Sequence, residues 1–168
     1  MAEVTNAIVL EKLVAKFGAG IISHDEPYGL LTIVADKNIN VEILKYLFDD
    51  EQLQFQFMTD LCGIHYPDQA GLELGVIYHL HSLVNNIRVR FKFFLPVSNP
   101  KIASATAVYA TANWQERETY DFFGIIFDGH PDLRRILNVD EMVAFPLRKE
   151  FPLEDPNRID KKDYYFGR

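Results

Sequence analysis

The sequence predicts an α+β fold in which helices cover one face of a mainly antiparallel sheet. Some segments repeat apolar residues at helical spacing, and others alternate apolar and polar residues with the period of a strand. The connections between these segments are short, and 168 residues are enough for one core. The order helix, two strands, helix, three strands therefore favours a two-layer sandwich.

The N-terminal elements are predicted from apolar spacing and from turn residues. Asn6 is a favourable N-cap for the first helix, and Gly18 is a favourable residue to end it. The sequence DEPYG indicates a turn between two short strands. The predicted elements are a helix at 7–17, strands at 20–24 and 30–35, and a second helix at 41–48.

Three further strands are predicted from alternation, at residues 53–58, 74–81 and 87–95. Asn85 and Asn86 form a polar loop, so the last two strands should make an antiparallel hairpin. Polar residues would then lie on the sheet face opposite the helices, where they meet water or a partner. These residues are His79, His81, Arg88, Arg90 and Lys92.

Composition and charge argue against several classes of function. The chain is 48% hydrophobic and 24% charged, as in globular proteins, and its net charge of −7 argues against nucleic-acid binding. The N-terminal residues lack a signal-peptide pattern, and no apolar run approaches the roughly 20 residues that span a bilayer. We therefore expect a cytoplasmic protein without direct membrane insertion. The single cysteine, Cys62, cannot by itself supply a disulfide, an iron-sulfur cluster or a structural zinc site.

The sequence NWQERETYDFFG at 113–124 predicts a short helix that combines charged and aromatic residues. Asn113 and Glu116 have the spacing of a capping box, and Gly124 suits the left-handed position after a helix end. Asp121 lies near the C-terminal end, where the helix dipole disfavours a negative charge. A cation should therefore compensate it, and the candidates are Arg117, Arg134 and Arg135. Aromatic residues among charges favour an interface over a solvated surface.

The chain after Gly124 shows little periodicity, although it is rich in large apolar residues and prolines. Such a segment is too apolar for a disordered tail and too irregular to form its own core. We predict an α+β domain at 1–124 and an extended partner-binding arm at 125–168.

Two stretches carry a resemblance to a known family. They are SATAVYATANWQERETYDFFGIIFDGHPDLRRIL at 104–137 and PLRKEFPL at 146–153. Both closely resemble the C subunit of bacterial respiratory complex I, the proton-pumping NADH:quinone oxidoreductase, a family known in eukaryotes as the 30-kilodalton subunit. The chain departs from many of these relatives after Leu153, with EDPNRIDKKDYYFGR where they carry Thr-Gly-Tyr.

The resemblance implies a non-catalytic structural subunit at the cytoplasmic face of the bacterial inner membrane. Its main partner would be the quinone-site D subunit, with the B subunit and neighbouring peripheral-arm subunits nearby. Iron-sulfur clusters, FMN and quinone would belong to partner subunits, and none to this chain. The implied partner-binding residues are Trp114, Glu116, Arg117, Glu118, Asp121, Phe122, His130, Arg134, Arg135, Arg148 and Phe151.

Two alternatives to this function stay open at the level of sequence. The same module could serve a related membrane-bound hydrogenase or another donor:quinone complex. A free-standing small enzyme could instead use Glu116 or Asp121 with Arg117 as an acid/base pair, which would require an enclosed pocket around the carboxylates.

Three other motifs have a structural interpretation beside a chemical one. His79 and His81 project from one strand face and could bind a metal with a carboxylate, but we interpret them as solvated or interface histidines. His130 lies in GHPDL, which indicates a shaped turn more than a proton relay. The sequence GAG at 18–20 lacks the spacing and context of a dinucleotide-binding loop.

Overall fold

The computed structural model describes residues 4–151 and confirms the α+β class. Its helices are α1 (Asn6–Phe17), α2 (Asn40–Asp49) and α3 (Ala112–Phe123). Its strands are β1 (Ile21–Asp25), β2 (Leu31–Ala35), β3 (Phe57–His65), β4 (Leu74–Ser82), β5 (Ile87–Leu95), β6 (Lys101–Ala103) and β7 (Ile126–Asp128). The last part of the predicted arm, including the departure from relatives after Leu153, lies outside the described residues.

The main sheet has five strands in the order β1-β2-β5-β4-β3. All neighbouring pairs are antiparallel except β2 and β5, so the predicted mainly antiparallel sheet is confirmed. The predicted hairpin is also confirmed, since Ser82 pairs with Ile87 across its tip. A second, two-stranded sheet joins β6 and β7 in parallel.

The core lies between the helices and one face of this sheet. Val9 and Leu13 of α1 are fully buried there, as are Ile43, Leu44 and Leu47 of α2. Alternate residues of the sheet face them, and each fully buried large apolar side chain contributes about 1.5–3 kcal/mol. The buried residues of the central strands are Leu74, Val76, Tyr78, Leu80, Val89, Phe91, Phe93 and Leu95.

The opposite sheet face is only partly as predicted. Arg88 is exposed, and Arg90 and Lys92 are half-buried. His81, however, is 9% exposed, so its predicted place on a wet or partner-facing surface is wrong. Its neighbours explain the burial, because Phe57 of β3 and Arg88 of β5 pair with it on either side.

Two local predictions are corrected by the structure. Thr5 is the N-cap of α1 and accepts from the N–H of Ile8, whereas Asn6 donates its side-chain N–H to Glu26. The third predicted strand, at 53–58, is also misplaced, since β3 begins at Phe57. The alternation arises from a turn that buries Leu53 and Phe55 but gives Gln54 a φ of 47°. A left-handed residue cannot continue a strand.

The chain remains integrated with the core just beyond Gly124. Ile125 and Phe127 are buried in the core cluster, and β7 pairs with β6. The domain boundary after Gly124 stays a prediction; residues 129–151, the described part of the predicted arm that follows β7, are here called the C-terminal segment. No helix within residues 4–151 is long and apolar enough to cross a membrane.

Candidate partner-binding site

The two ends of helix α3 are held in different ways. No side chain caps its start at Thr111, so the predicted capping box of Asn113 and Glu116 is wrong. Its end is as predicted, because Gly124 adopts a φ of 70° and donates its N–H to the carbonyl of Tyr120. Glycine permits this left-handed conformation without steric strain.

Glu116 links α3 to the chain that follows β6, which explains why it does not form a capping box. Its Oε2 accepts from the Ser104 hydroxyl at 2.6 Å, and its Oε1 accepts from the Ala105 N–H at 2.7 Å. The side chain is fully buried. Burial raises the pKa of Glu116 to about 7, against the opposing effect of the two hydrogen bonds.

Asp121 receives the cation that the sequence predicted, and that cation is Arg135. Arg135 Nη1 lies 2.7 Å from Asp121 Oδ1 in a buried ion pair. Three consecutive backbone N–H groups, those of Ile136, Leu137 and Asn138, donate to Asp121 Oδ2 at 2.8–3.1 Å. Burial alone would raise the pKa of Asp121, but these hydrogen bonds and Arg135 outweigh it and hold the pKa well below its usual range.

Arg135 also binds the part of the chain that follows it. Its Nη2 donates to the carbonyls of Met142 at 2.7 Å and Ala144 at 3.2 Å. Its guanidinium carbon lies 5.2 Å from the centre of the Phe145 ring. Asp121 and Arg135 therefore fix residues 135–145 against the end of α3.

Arg148 makes a second attachment at the same helix end. Its Nε donates to the Phe123 carbonyl at 2.7 Å, and its guanidinium carbon lies 4.6 Å from the Phe145 ring centre. Phe145 is thus in contact with two guanidinium groups, and both Phe145 and Arg148 pack against Gly124. Cations at a helix C-terminus also complement the helix dipole.

Two histidines hold the remainder of the C-terminal segment. His130 Nδ1 accepts from the Asp132 N–H at 3.0 Å, so Nε2 carries the proton and donates to the Asn113 carbonyl. This geometry supports the predicted structural turn at His130. His65, which the sequence analysis did not single out, accepts from the Lys149 N–H at 2.9 Å. Both histidines make these bonds in the neutral form.

Other predicted site residues point outward. Trp114 is 65% exposed. Arg117 is itself buried; its guanidinium carbon lies 4.9 Å from the Trp114 ring centre, and its Nε donates to the Arg134 carbonyl. Glu118 and Arg134 are exposed, and Phe122 is half-buried. Phe151 is 38% exposed. Further exposed apolar side chains on the C-terminal segment are Leu137, Val139, Val143 and Leu147.

The structure thus divides the predicted residues into two groups that share one region. The first group makes bonds within the chain and shapes the surface, and the second is accessible on it. The first comprises Glu116, Arg117, Asp121, His130, Arg135 and Arg148, and the second Trp114, Glu118, Phe122, Arg134 and Phe151. Their binding of a partner stays a prediction. Sequence reasoning missed His65, Asn138 and Phe145, whose roles depend on contacts that carry no local pattern.

The geometry does not provide the acid/base pair of the enzyme alternative. Glu116 and Asp121 are both fully buried, and their oxygens bind different parts of the chain. Arg117 contacts neither carboxylate among its hydrogen bonds. His79 Nε2 accepts from Arg90 at 2.9 Å, and residues 4–151 bring together no group of three His, Cys, Asp or Glu side chains suited to a metal.

Comparison with known proteins relates this chain to one protein family. Residues 33–157 match the family model described as the 30 Kd subunit of respiratory-chain NADH dehydrogenase. The chain is 50% identical over 111 residues to the C subunit of NADH-quinone oxidoreductase from Nocardioides sp. (strain ATCC BAA-499 / JS614), covering 66% of this chain and 44% of that protein. The protein of the same name from Methylobacterium radiotolerans is 43% identical over 147 residues, covering 88% of this chain and 67% of that protein.

Solved structures agree with the fold. A trypsin-resistant fragment of Nqo5 superposes with a TM-score of 0.63 at 29% identity, covering 74% of this chain and 99% of the fragment. A chain of the membrane-bound sulfane sulfur reductase, an archaeal respiratory membrane complex, gives a TM-score of 0.74 at 18% identity, covering 92% and 95%. The latter shows the fold alone.

The match to the family model extends over most of the chain, including α3 and the C-terminal segment. The chain spans 44% and 67% of the length of the two curated relatives above. With 43–50% identity to C subunits of NADH-quinone oxidoreductase, this chain belongs to the 30-kDa subunit family of respiratory-chain NADH dehydrogenase, respiratory complex I.

Proposed function

We propose that this chain is a non-catalytic structural subunit of the peripheral arm of proton-pumping NADH:quinone oxidoreductase. It binds the quinone-site D subunit, with the B subunit nearby, and so supports electron transfer from NADH to quinone in the assembled complex. The iron-sulfur clusters, FMN and quinone belong to other subunits of the complex. The assembly places it at the cytoplasmic face of the bacterial inner membrane.

The surface formed by α3 and the C-terminal segment carries this proposal. Trp114, Val139 and Val143 are 65%, 68% and 96% exposed, although the segment that bears the two valines is held down by the buried Asp121–Arg135 pair. Apolar side chains clustered on a protein surface mark interaction sites. A Trp beside an Arg is typical of the residues that dominate binding energy.

The test is purification of the tagged full chain from gently solubilised membranes. We expect the D and B subunits to be recovered with NADH:quinone activity. Recovery with hydrogenase subunits would favour the related module, and recovery of the folded chain alone would contradict both assignments.

Trp114→Glu tests whether this residue contacts the D subunit. The Trp114 side chain is largely exposed, so its loss should not unfold the domain. We expect at least a tenfold loss of recovered D subunit, as for residues at the centre of an interface. Val14→Glu is the matched control, since Val14 is 46% exposed on α1. Equal recovery with both variants would argue against a contact at Trp114.

Arg148→Glu tests a different contribution. The 2.7 Å bond from Arg148 to the Phe123 carbonyl belongs to the chain itself, so this variant should weaken association by loosening the C-terminal segment. Unchanged recovery on native gels would contradict that expectation.

A further inference from the structure

Strand β3 forms one edge of the main sheet and pairs with β4 alone. In an antiparallel strand, alternate residues turn their N–H and C=O groups away from the paired neighbour. Within residues 4–151, no hydrogen bond reaches these outward groups of β3. A register shift between Met58 and Asp60 interrupts the strand near its start, and residues 60–65 continue in regular register with β4. Residues 4–151 therefore leave a row of backbone groups along this edge without a hydrogen-bond partner.

Helix α3 lies beside this edge and makes it concave. Phe123 packs so closely over Gly63 that a Cβ on Gly63 would lie 2.5 Å from its ring. The groove between helix and strand has a volume of about 230 Å³. Its apolar lining includes Phe122, Phe123 and Leu147, and Cys62 adds a half-buried thiol.

Two carboxylates flank the groove on opposite sides of the strand. Asp60 lies on the outer sheet face, because it pairs with His79 while Leu61 faces the core. Glu118 comes from α3 on the core side. Both are exposed, and Glu118 makes no ion pair with any residue in 4–151.

The histidine near Asp60 does not neutralise this charge. His79 Nδ1 lies 3.7 Å from Asp60 Oδ2. Burial and Arg90 lower the pKa of His79, against the opposing effect of Asp60, so the imidazole is neutral at pH 7. The groove thus has an apolar floor, two negative rims and an edge of free backbone groups.

We propose that the edge of β3 takes up an extended segment of a partner subunit as an added strand, with one Lys or Arg of that segment facing Asp60 and another, on its opposite face, facing Glu118. Strand addition uses the backbone groups for affinity and flanking side chains for specificity. A partner helix has no backbone groups left to pair with the edge. A second copy of this chain would bring its own Asp60 and Glu118 to the same edge, and like charges oppose that pairing.

This inference rests on the proposed function only in requiring an assembled complex. The experiment is hydrogen–deuterium exchange, read by mass spectrometry, on the full chain alone and in the complex purified through its tag. We expect the outward amides of residues 58–64 to exchange at least tenfold more slowly in the complex. Strand β1, the other sheet edge, serves as the internal control and should be unchanged.

The double variant Asp60→Lys/Glu118→Lys tests the charge requirement. We expect it to lose the protection of residues 58–64, while the neutral pair Asp60→Asn/Glu118→Gln keeps part of it. Circular dichroism melting of each variant checks folding, and the comparison of free and assembled wild-type chain stands without any variant.

The outcomes separate the two proposals. If residues 58–64 exchange equally fast in a complex that contains the D subunit, strand addition is overturned and the proposed function stands. Protection of residues 58–64 that persists in the lysine variant overturns the requirement for basic residues in the partner segment. A folded chain recovered without any other component of complex I overturns both.

Discussion

Asp121 is the residue on which the C-terminal segment depends most. Its carboxylate accepts from Arg135, from the Asn138 side chain and from three backbone N–H groups, at 2.7–3.1 Å. Removing one partner of a buried ion pair leaves the other charge uncompensated.

Asp121→Asn should therefore lower the free energy of unfolding by about 3 kcal/mol, measured by urea denaturation. Asp49→Asn is the matched control, because the only ion pair of Asp49 within residues 4–151 is an exposed one with Lys45 on the same helix, worth a few tenths of a kcal/mol. Equal losses in the two variants would mean that the Asp121 network contributes no special stability.

Glu116 makes stability depend on pH in the opposite direction from an ordinary carboxylate. Its pKa of about 7 in the folded chain exceeds the ordinary 4.5, so the folded state holds the proton more tightly. The stability that this proton contributes is fully present below about pH 4.5 and is lost as the pH rises through 7.

Glu116→Gln should remove this dependence while keeping a hydrogen-bonding amide. Relative to wild type, the variant should gain roughly 2–3 kcal/mol of unfolding free energy between pH 5 and pH 8, in denaturation curves at each pH. Glu118→Gln, on the exposed side of the same helix, is the matched control for replacing a carboxylate by an amide. If the unfolding free energy of Glu116→Gln varied with pH in parallel with that of wild type, the raised pKa of Glu116 would be contradicted.

At the scale of elements, α3 and α1 both end at a glycine with positive φ, but the two glycines differ in ψ, which is 27° at Gly124 and −118° at Gly18, and in packing. Gly124 and Gly18 both have positive φ, at 70° and 50°. A Cβ on Gly124 would lie 2.5 Å from the Phe145 ring and 2.7 Å from Arg148, whereas a Cβ on Gly18 would meet nothing within 4 Å.

Gly124→Ala should therefore destabilise the chain by more than the backbone term of about 1–2 kcal/mol that a left-handed alanine costs. We expect the excess to be roughly 1–3 kcal/mol, as for overpacked sites, in thermal or urea denaturation. A loss no larger than the backbone term would show that Phe145 and Arg148 move aside freely.

The elements also show where sequence patterns suffice. Alternation with a period of two identified β4 and β5, because one face of each strand is buried along most of its length. The same alternation failed at residues 53–58, where Leu53 and Phe55 are buried by a turn. Alternation reports which side chains are buried, and a turn can bury every second residue as a strand does.

At the scale of the whole molecule, the sheet and the C-terminal segment are held by different forces. The sheet buries complete aromatic and aliphatic side chains, whereas the segment is attached mainly by Asp121, Arg135, Arg148 and two histidines while Val139 and Val143 stay exposed. Regions with few buried apolar contacts open at lower free energy than the core.

Native-state hydrogen exchange should therefore show the segment opening before the sheet. The amides of Ile136, Leu137 and Asn138 should exchange with an opening free energy several kcal/mol below that of β4 and β5. A common opening free energy for both regions would indicate a single cooperative unit.

The sequence by itself determined the α+β class, the hairpin and the family, because these depend on local periodicity and on a contiguous motif. It also indicated that Asp121 needs a cation, since the helix dipole is a property of one element. Only the tertiary structure decided that Arg135 supplies this cation, that Glu116 binds Ser104 and Ala105, and that His65 holds Lys149. Those contacts join residues 11–84 positions apart in the chain, and such pairings are set by how the helices and the sheet pack, which no local pattern encodes.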